Sequence, residues 1–366
     1  MTDYLAPGVY VAEIPDDRRI LPQPLRPAAF IGPTASGPIE KPSRPLASVA
    51  AFTEVFGHDR SVGLGRYIEG YFNNGGSALR VVRVDETPES RVDAYRRAIG
   101  ALAASESALL AAPALHEHVS PDEAAKAAQA LIDASEASKG FALIDPPRGM
   151  SPSGVREFRR RFASSFAALY YPWVRETSSS RVLAPSGVLA GVYARIDASK
   201  GVHKAPANAV LHGIDGFELE INQAHQESLN PEGINCLRTF AGRGPRVWGA
   251  RTLAADPEWK YVNVRRYFNF LEESIETGTR WSVFEPNGPA LWRLMEQVVG
   301  GFLHEEWRRG ALQGSSPNEA YFVRCDRTTM TQDDLDSGRL VAVIGVAPIK
   351  PAEFVIFRIG QWAALA

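Results

Sequence analysis

The chain has 366 residues, 45% apolar and 22% charged, with 40 basic residues against 42 acidic ones and a formal charge of −2. That length allows two domains of ordinary size, and the near-neutral balance offers no electrostatic footprint for nucleic acid or an anionic membrane. No apolar stretch reaches the ~20 residues that a membrane-spanning helix needs. Met1-Thr2-Asp3-Tyr4 lacks the basic start and apolar core of a secretory leader, so export by the general secretory route is not expected. The two cysteines, Cys236 and Cys325, lie far apart and form no metal or redox motif; they are expected as buried thiols in a reducing compartment.

In chain order, the first element is a short β-branched run, Pro7-Gly8-Val9-Tyr10-Val11-Ala12-Glu13-Ile14, followed by Pro15, Pro22, Pro24 and Pro27. Termini usually fray, so a strand-like run there needs a sheet edge to pair with, and the prolines behind it read as a stiff, extended tether. From residue 28 to about residue 199, strands are predicted at 28–32, 78–84, 108–112, 141–145 and 166–171. Helices are predicted between them at 91–103, 121–138 and 154–162. The second helix opens on Ser120-Pro121-Asp122-Glu123, a capping box with proline at the first helical position. Strands alternating with helices of this length predict an α/β domain around a mainly parallel sheet.

Beyond about Gly201 the pattern becomes α+β. Strands are predicted at 217–221 and 234–240, then a turn at Gly242-Arg243-Gly244-Pro245 and a strand over 246–253. Two amphipathic helices follow. One carries Val264, Tyr267, Phe268, Leu271 and Ile275 on one face; the other runs through Leu291, Leu294, Met295, Val298, Val299, Phe302 and Leu303, with Asn287 as cap, Pro289 near its first turn and Gly310 at its end. A strand at 340–347 precedes the last one, Phe354-Val355-Ile356-Phe357-Arg358-Ile359. Phe354 and Ile356 point one way and Val355 and Phe357 the other, so both faces want burial.

Chemistry is harder to find. His116-Glu117-His118 is the one tight histidine pair, and its place between Pro113 and a helix cap predicts a solvated loop rather than a metal site. No His-Glu-x-x-His, Cys-x-x-Cys, calcium loop or phosphate-cradling loop is present, and no Gly-x-Ser-x-Gly elbow occurs. Ser186-Gly187 and Ser153-Gly154 sit where helix caps are expected. Glu272, Glu273 and Glu276 fall on the polar face of a helix. No cofactor, metal or catalytic residue is therefore assigned, and a hydrolase is left as the competing reading.

A set of ordered motifs points elsewhere. They are Pro7-Gly8-Val9-Tyr10-Val11, Ala190-Gly191-Val192-Tyr193-Ala194-Arg195, Lys204-Ala205-Pro206-Ala207-Asn208, and Leu229-Asn230-Pro231-Glu232-Gly233-Ile234-Asn235. Trp248-Gly249-Ala250-Arg251-Thr252-Leu253, Tyr261-Val262-Asn263-Val264-Arg265-Arg266, Phe284-Glu285-Pro286-Asn287 and Pro348-Ile349-Lys350-Pro351-Ala352-Glu353-Phe354 complete it. On these the chain resembles the contractile tail sheath proteins of phages and phage-like injection particles, most of all the short sheath subunits of extracellular contractile injection systems. His203 departs from the large aromatic expected there.

The resemblance implies an α/β, subtilisin-like but non-catalytic middle domain at 25–243 and an α+β C-terminal domain at 244–366. It also implies extended arms at 1–24 and 350–366. It implies a non-enzymatic subunit that polymerises helically around an inner tail tube and contracts to drive the tube through a target envelope. The arms would exchange between copies by β-augmentation, with Val9, Tyr10, Val11, Ile14, Phe354, Val355, Ile356, Phe357 and Ile359 at the joints. The edge expected to receive them is the 340–347 region of an adjacent copy. Arg293, Glu296, Glu305, Glu306, Arg308 and Arg309, placed on the outer face of the second amphipathic helix, are the candidates for tube contact. The implied partners are further copies of the chain, the tube protein, baseplate and terminator proteins, and sheath paralogues, without nucleic acid or membrane insertion. Assembly is expected in the bacterial cytoplasm, within a tail or a particle that is later released. A static tubular or capsid-like protein is a third reading, since contraction belongs to the lattice.

Overall fold

The computed structural model describes residues 18–24, 26–57, 59, 63–85, 90–102, 107–117, 120–177 and 179–354. The expected strands carrying Val9, Tyr10, Val11 and Ile14, and Val355, Ile356, Phe357 and Ile359, lie outside the described residues, as does His118. Two compact units emerge, one built from residues 23–271 and 348–354 and the other from 18–22 and 272–347. The expected division at 243/244 falls inside a hairpin of the first unit.

The larger unit is organised by a seven-stranded sheet. Its strands are β1 (Ala28–Gly32), β2 (Leu79–Arg83), β3 (Leu109–Ala111), β4 (Ala142–Ile144), β5 (Ala167–Tyr171), β9 (Ile234–Phe240) and β10 (Gly244–Val247), in the order β10-β9-β5-β4-β3-β1-β2. All neighbours are parallel except the β9–β10 hairpin, in which Gly244 faces Phe240. Side chains alternate between two dry cores. Ala28, Phe30, Val81, Ala111, Leu143 and Tyr170 face one core, with residues of α1 (Val49–Phe56), α2 (Ile68–Asn73) and α6 (Pro185–Lys200). Ala29, Ile31, Val82, Leu110, Ile144 and Leu169 face the other, with residues of α3 (Arg91–Ala101), α4 (Pro121–Ala137) and α5 (Pro152–Arg159). Both faces are covered, as a parallel sheet requires.

Local chemistry sets the helix starts. Ser120 and Glu123 close the expected capping box of α4, while Ser151 rather than Ser153 caps α5. Glycines let α6 approach α2: a Cβ on Gly187 would stand 2.7 Å from a Tyr67 ring carbon, and one on Gly191 would stand 2.2 Å from the Tyr71 carbonyl oxygen. A small three-stranded sheet, β7-β6-β8, joins β6 (Val174–Glu176), β7 (Val182–Leu183) and β8 (Ile214–Phe217). The strand expected at 217–221 thus ends at Phe217, and Ile221 is a buried residue ahead of α7 (Gln223–Leu229). Likewise the strand expected at 246–253 stops at Val247. The chain then bends at Gly249, where a Cβ would lie 2.8 Å from Asn235 Oδ1.

α8 (Val262–Thr279) and α9 (Pro289–Arg308) are the two amphipathic helices; α10 (Pro317–Ala320), β11 (Tyr321–Arg324), α11 (Gln332–Asp336) and β12 (Val343–Val346) complete the smaller unit. Leu291, Met295, Val299, Phe302 and Leu303 of α9 are buried there, with Ala311, Leu312, Cys325 and Met330. Ile20 lies in this unit against Gly278, so residues 18–22 pack onto the body instead of belonging wholly to an arm. Gly288 holds the N-cap position of α9 without a side-chain cap. Asn287, expected there, accepts from Trp292 Nε1 and donates to the Arg339 carbonyl.

Candidate functional site

In doubly wound α/β folds, ligands bind outside the carboxyl ends of the strands where the strand order reverses. Here that place lies between β1 and β3, and it is filled. A Cβ on Gly32 would touch Leu64 at 3.0 Å and Ala114 at 3.5 Å, and both residues are buried. The three residue types of a hydrolase triad do meet nearby, after β3 and β4, but their connections are wrong for nucleophilic catalysis. The Ser186 backbone N–H donates to Asp145 Oδ1 (2.8 Å), its hydroxyl lies 2.5 Å from Oδ2, and His116 Nε2 bonds the Asp145 carbonyl oxygen (2.6 Å), not the serine. Asp145 thus caps α6, whose N-cap Ala184 has no side-chain oxygen to offer. The space beside these groups is about 10 Å³, room for at most one water.

Burial governs both titratable groups. It pushes the Asp145 carboxyl up to about 7 against the opposing hydrogen bonds from Ser186. It pushes His116, enclosed by Phe158 and Trp173, down to about 4. His116 therefore sits in a short helical turn against two aromatic rings, not in the solvated loop expected from sequence.

The sequence motifs resolve into buried wiring. Arg266 makes a bidentate ion pair with Asp197 (2.9 and 2.5 Å), both nearly solvent-free, and its guanidinium lies over Tyr193, which is hydrogen bonded to Tyr170 at 2.7 Å. Arg265 lies over the rings of Trp259 (4.2 Å) and Phe166 (4.6 Å). Its Nε donates to Asn269, which in turn donates to the Lys139 and Gly140 carbonyls. Asn235 bridges the Leu169 and Arg251 carbonyls, and Asn263 the His203 and Ile349 carbonyls. His203 packs edge-on against Tyr267.

One arrangement was not legible in the sequence. Glu353, at the root of the expected C-terminal arm, is held on the larger unit by Arg251 through two bonds (2.8 and 2.7 Å), by Asn230 (2.8 Å) and by Tyr261 (3.1 Å). Burial pushes its carboxyl up, but the donors from Arg251 and Asn230 outweigh that and hold it below the usual range. Arg251 and Glu353 each belong to a quoted motif; only their pairing, 102 residues apart, escaped notice. Next to Glu353, Phe354 is 71% exposed.

In the smaller unit, β11 and β12 form a two-stranded antiparallel sheet, Tyr321 opposite Val346, in which each strand has one neighbour among the described residues. Phe322 is 52% exposed and Val343 is exposed as well. The candidate tube-contact residues are not all on one surface. Arg293, Glu305, Arg308 and Arg309 are exposed, with Arg308 paired to Glu305 at 3.4 Å. Glu306 is only 5% exposed and pairs with Arg309, and Glu296 accepts the Cys325 N–H, so neither stands on the outer face. The outer-face placement expected for these two fails because the turn of α9 packed on the smaller unit's core claims them. Both cysteines are free and buried as expected, with thiols pushed up by burial to about 12 (Cys236) and about 11 (Cys325). No helix among the described residues is long and apolar enough to cross a membrane.

Comparison with known proteins identifies the family. Residues 90–253 match the family described as phage tail sheath protein central domain, and residues 254–361 match phage tail sheath C-terminal domain. A prophage major tail sheath protein of Pseudomonas aeruginosa is 24% identical over 348 residues, spanning 88% of this chain and 87% of that protein. Among solved structures, the helical sheath of the anti-feeding prophage in its contracted state is 33% identical, with a TM-score of 0.79 and coverage of 98% of this chain and 100% of that one. The contracted sheath complex of the extracellular contractile injection system PVC is 29% identical, with a TM-score of 0.75 and 99% coverage of both chains. The chain belongs to the phage tail sheath protein family, a structural family and not one of enzymes.

Proposed function

We propose that this chain polymerises helically around an inner tail tube and contracts to drive that tube through a target envelope. The observation that carries the reading beyond family membership is the β11–β12 sheet. Two strands alone are marginal in water, yet here they expose apolar side chains, and each has one edge without a partner strand among the described residues. That is the geometry β-augmentation uses. Val9, Tyr10, Val11 and Ile14 of one copy, and Phe354, Val355, Ile356, Phe357 and Ile359 of another, supply the added strands, so that the arms 1–24 and 350–366 join three copies. The exposure of Phe354 and the firm anchoring of Glu353 beside it support an arm that starts from a fixed root.

A head-to-tail joint that does not close builds a filament. Exchanged strands keep the copies linked while contacts between bodies repack, so the tube can shorten and widen without dissociating, and no nucleotide is needed. The non-catalytic α/β body, which we take to be subtilisin-like in layout, moves as a rigid piece. Arg293, Glu305, Arg308 and Arg309 are the residues we assign to tube contact, since exposed mixed charges bind weakly enough to release. Baseplate and terminator proteins complete the assembly, which forms in the bacterial cytoplasm and belongs to a tail or a released particle. Electron microscopy of the purified full chain tests the reading. Long and short tubes are expected, and deletion of residues 1–15 should abolish them; tubes that persist after that deletion would refute the strand joint.

A further inference from the structure

Two surface features of this chain complement one another. The first is a groove of about 490 Å³ on the larger unit, walled by Ala207, Gln226, Trp248, Ala250, Phe354 and Glu353, whose carboxylate is already paired with Arg251. Gln226 is only 9% exposed, yet its Oε1 has no hydrogen-bond partner among the described residues, and a buried unpaired acceptor marks a place where a donor is missing. Three arginines lie outside this lining but bond to two of its residues, Gln223 and Asn208. Arg238 donates to Gln223 Oε1 (3.3 Å), Arg243 to Asn208 Oδ1 (3.0 Å) and Arg246 to the Asn208 carbonyl (2.9 Å). None of them has a carboxylate partner among the described residues. The groove therefore fits an apolar group followed by an anion.

The second feature, in the smaller unit, has that composition. Val283 and Phe284 project into solvent, Phe284 being 102% exposed, and the exposed Glu285 follows with no ion pair among the described residues. Phe284 has φ +69°, a backbone region that a bulky residue occupies only under strain. The loop is nonetheless pinned: Val283 N–H donates to the Arg280 carbonyl, Glu285 N–H to that of Ser282, and Asn287 ties the following turn to Trp292 and Arg339. A rigid, strained loop that holds an aromatic ring in water has the form of a docking knob.

We propose that the Val283-Phe284-Glu285 knob of one copy seats in the Trp248 groove of a second copy. Phe284 packs beside Trp248, Glu285 meets Arg243 and Arg246, and a knob backbone N–H reaches Gln226 Oε1. The proposal rests on the assembly reading above, so polymerisation of the unaltered full chain is scored first, and its failure removes that reading together with this one. The test then mixes two single variants, F284C and A207C. Because both native thiols are buried, a disulfide heterodimer that appears only in the polymerised mixture is expected. Polymer without that species refutes knob and groove alone. The exposed charges give an independent readout: E285R should raise the concentration needed for assembly about tenfold, the scale of 1.4 kcal/mol. R243E/R246E should do the same, and the combined variant should return toward the unaltered value. Unimpaired assembly of either charge variant, or no recovery on combination, also overturns the proposal.

Discussion

The neutral pair of Asp145 and His116 makes a sharp prediction about acid stability. Unfolded, an aspartate titrates near 3.8 and a histidine near 6.5; folded, burial places Asp145 at about 7 and His116 at about 4. Between pH 4 and 6.5 the unfolded chain holds its proton on the histidine, while the folded chain holds it on the aspartate. Both states bind one proton at these two sites, so by linkage the pair gives stability no slope across that window. Remove one partner and the slope of the other is exposed. In Asp145→Asn the folded state holds no proton there and the unfolded state holds one. Stability is then lost as pH falls from 6.5 to 4, by up to about 3 kcal/mol at roughly 1.4 kcal/mol per pH step. In His116→Gln the balance reverses: Asp145 has a raised folded value, so its stabilising contribution is present near pH 4 and is lost as pH rises through 7, by up to about 4 kcal/mol.

The assay is urea unfolding of the full chain and the two variants at several pH values from 4 to 7, read as differences from the unaltered protein so that every other group cancels. Opposite slopes in the two variants, and none in the double variant beyond the asparagine and glutamine substitutions themselves, are expected. If Asp145→Asn follows the unaltered chain within about 0.5 kcal/mol across the range, the buried neutral pair is refuted.

Further outcomes follow from the wiring of the body. Asp197→Ala strands the Arg266 guanidinium in a dry site and should destabilise the larger unit by about 3–5 kcal/mol; a thermal midpoint unchanged from the parent chain would contradict the pairing. Gly191→Ala forces a methyl group against the Tyr71 carbonyl and should cost about 1–3 kcal/mol in urea unfolding, whereas Gly300→Ala, with open space around it, should be harmless. Glu353→Gln removes a charged acceptor from Arg251 and should lower stability by about 2–3 kcal/mol, with faster amide exchange at Pro351–Phe354's non-proline residues as the local signature.

Periodicity made the sheet legible because both of its faces are buried. Strands such as Ala28–Gly32 and Ile234–Phe240 read as short apolar runs bounded by turn residues, and their ends agree with the structure. The helix α6 escaped that reading for the same reason. It is buried nearly all round its first ten residues, so it shows no polar stripe; the sequence offers only a cap signal at Ser186-Gly187 and a family motif within it. Charge patterns misled where an acidic side chain had an inward partner. Glu296 and Glu306 look like surface residues by composition, but one captures a backbone N–H and the other lies under Arg309. Contacts between residues far apart in sequence, such as Glu353 with Arg251, leave no local trace at all.

On the proposed mechanism, a subunit that changes neighbours while its body stays rigid must keep two kinds of electrostatics apart. In the larger unit the charges that fix the body, Asp197 with Arg266 and Arg251 with Glu353, are buried and bidentate, so salt screens them little and their geometry has one solution. On α9 the pair of Glu305 with Arg308 joins two exposed residues one turn apart, where such a pair is worth a fraction of a kcal/mol. Such pairs can be exchanged for contacts with another molecule at almost no loss. The arginines bonded to Gln223 and Asn208 of the Trp248 groove go further, since neutral acceptors position them and no carboxylate among the described residues pairs with them. Rigid interior pairs and uncommitted surface charge are therefore two halves of one requirement: the body must survive every rearrangement of the surfaces that it carries.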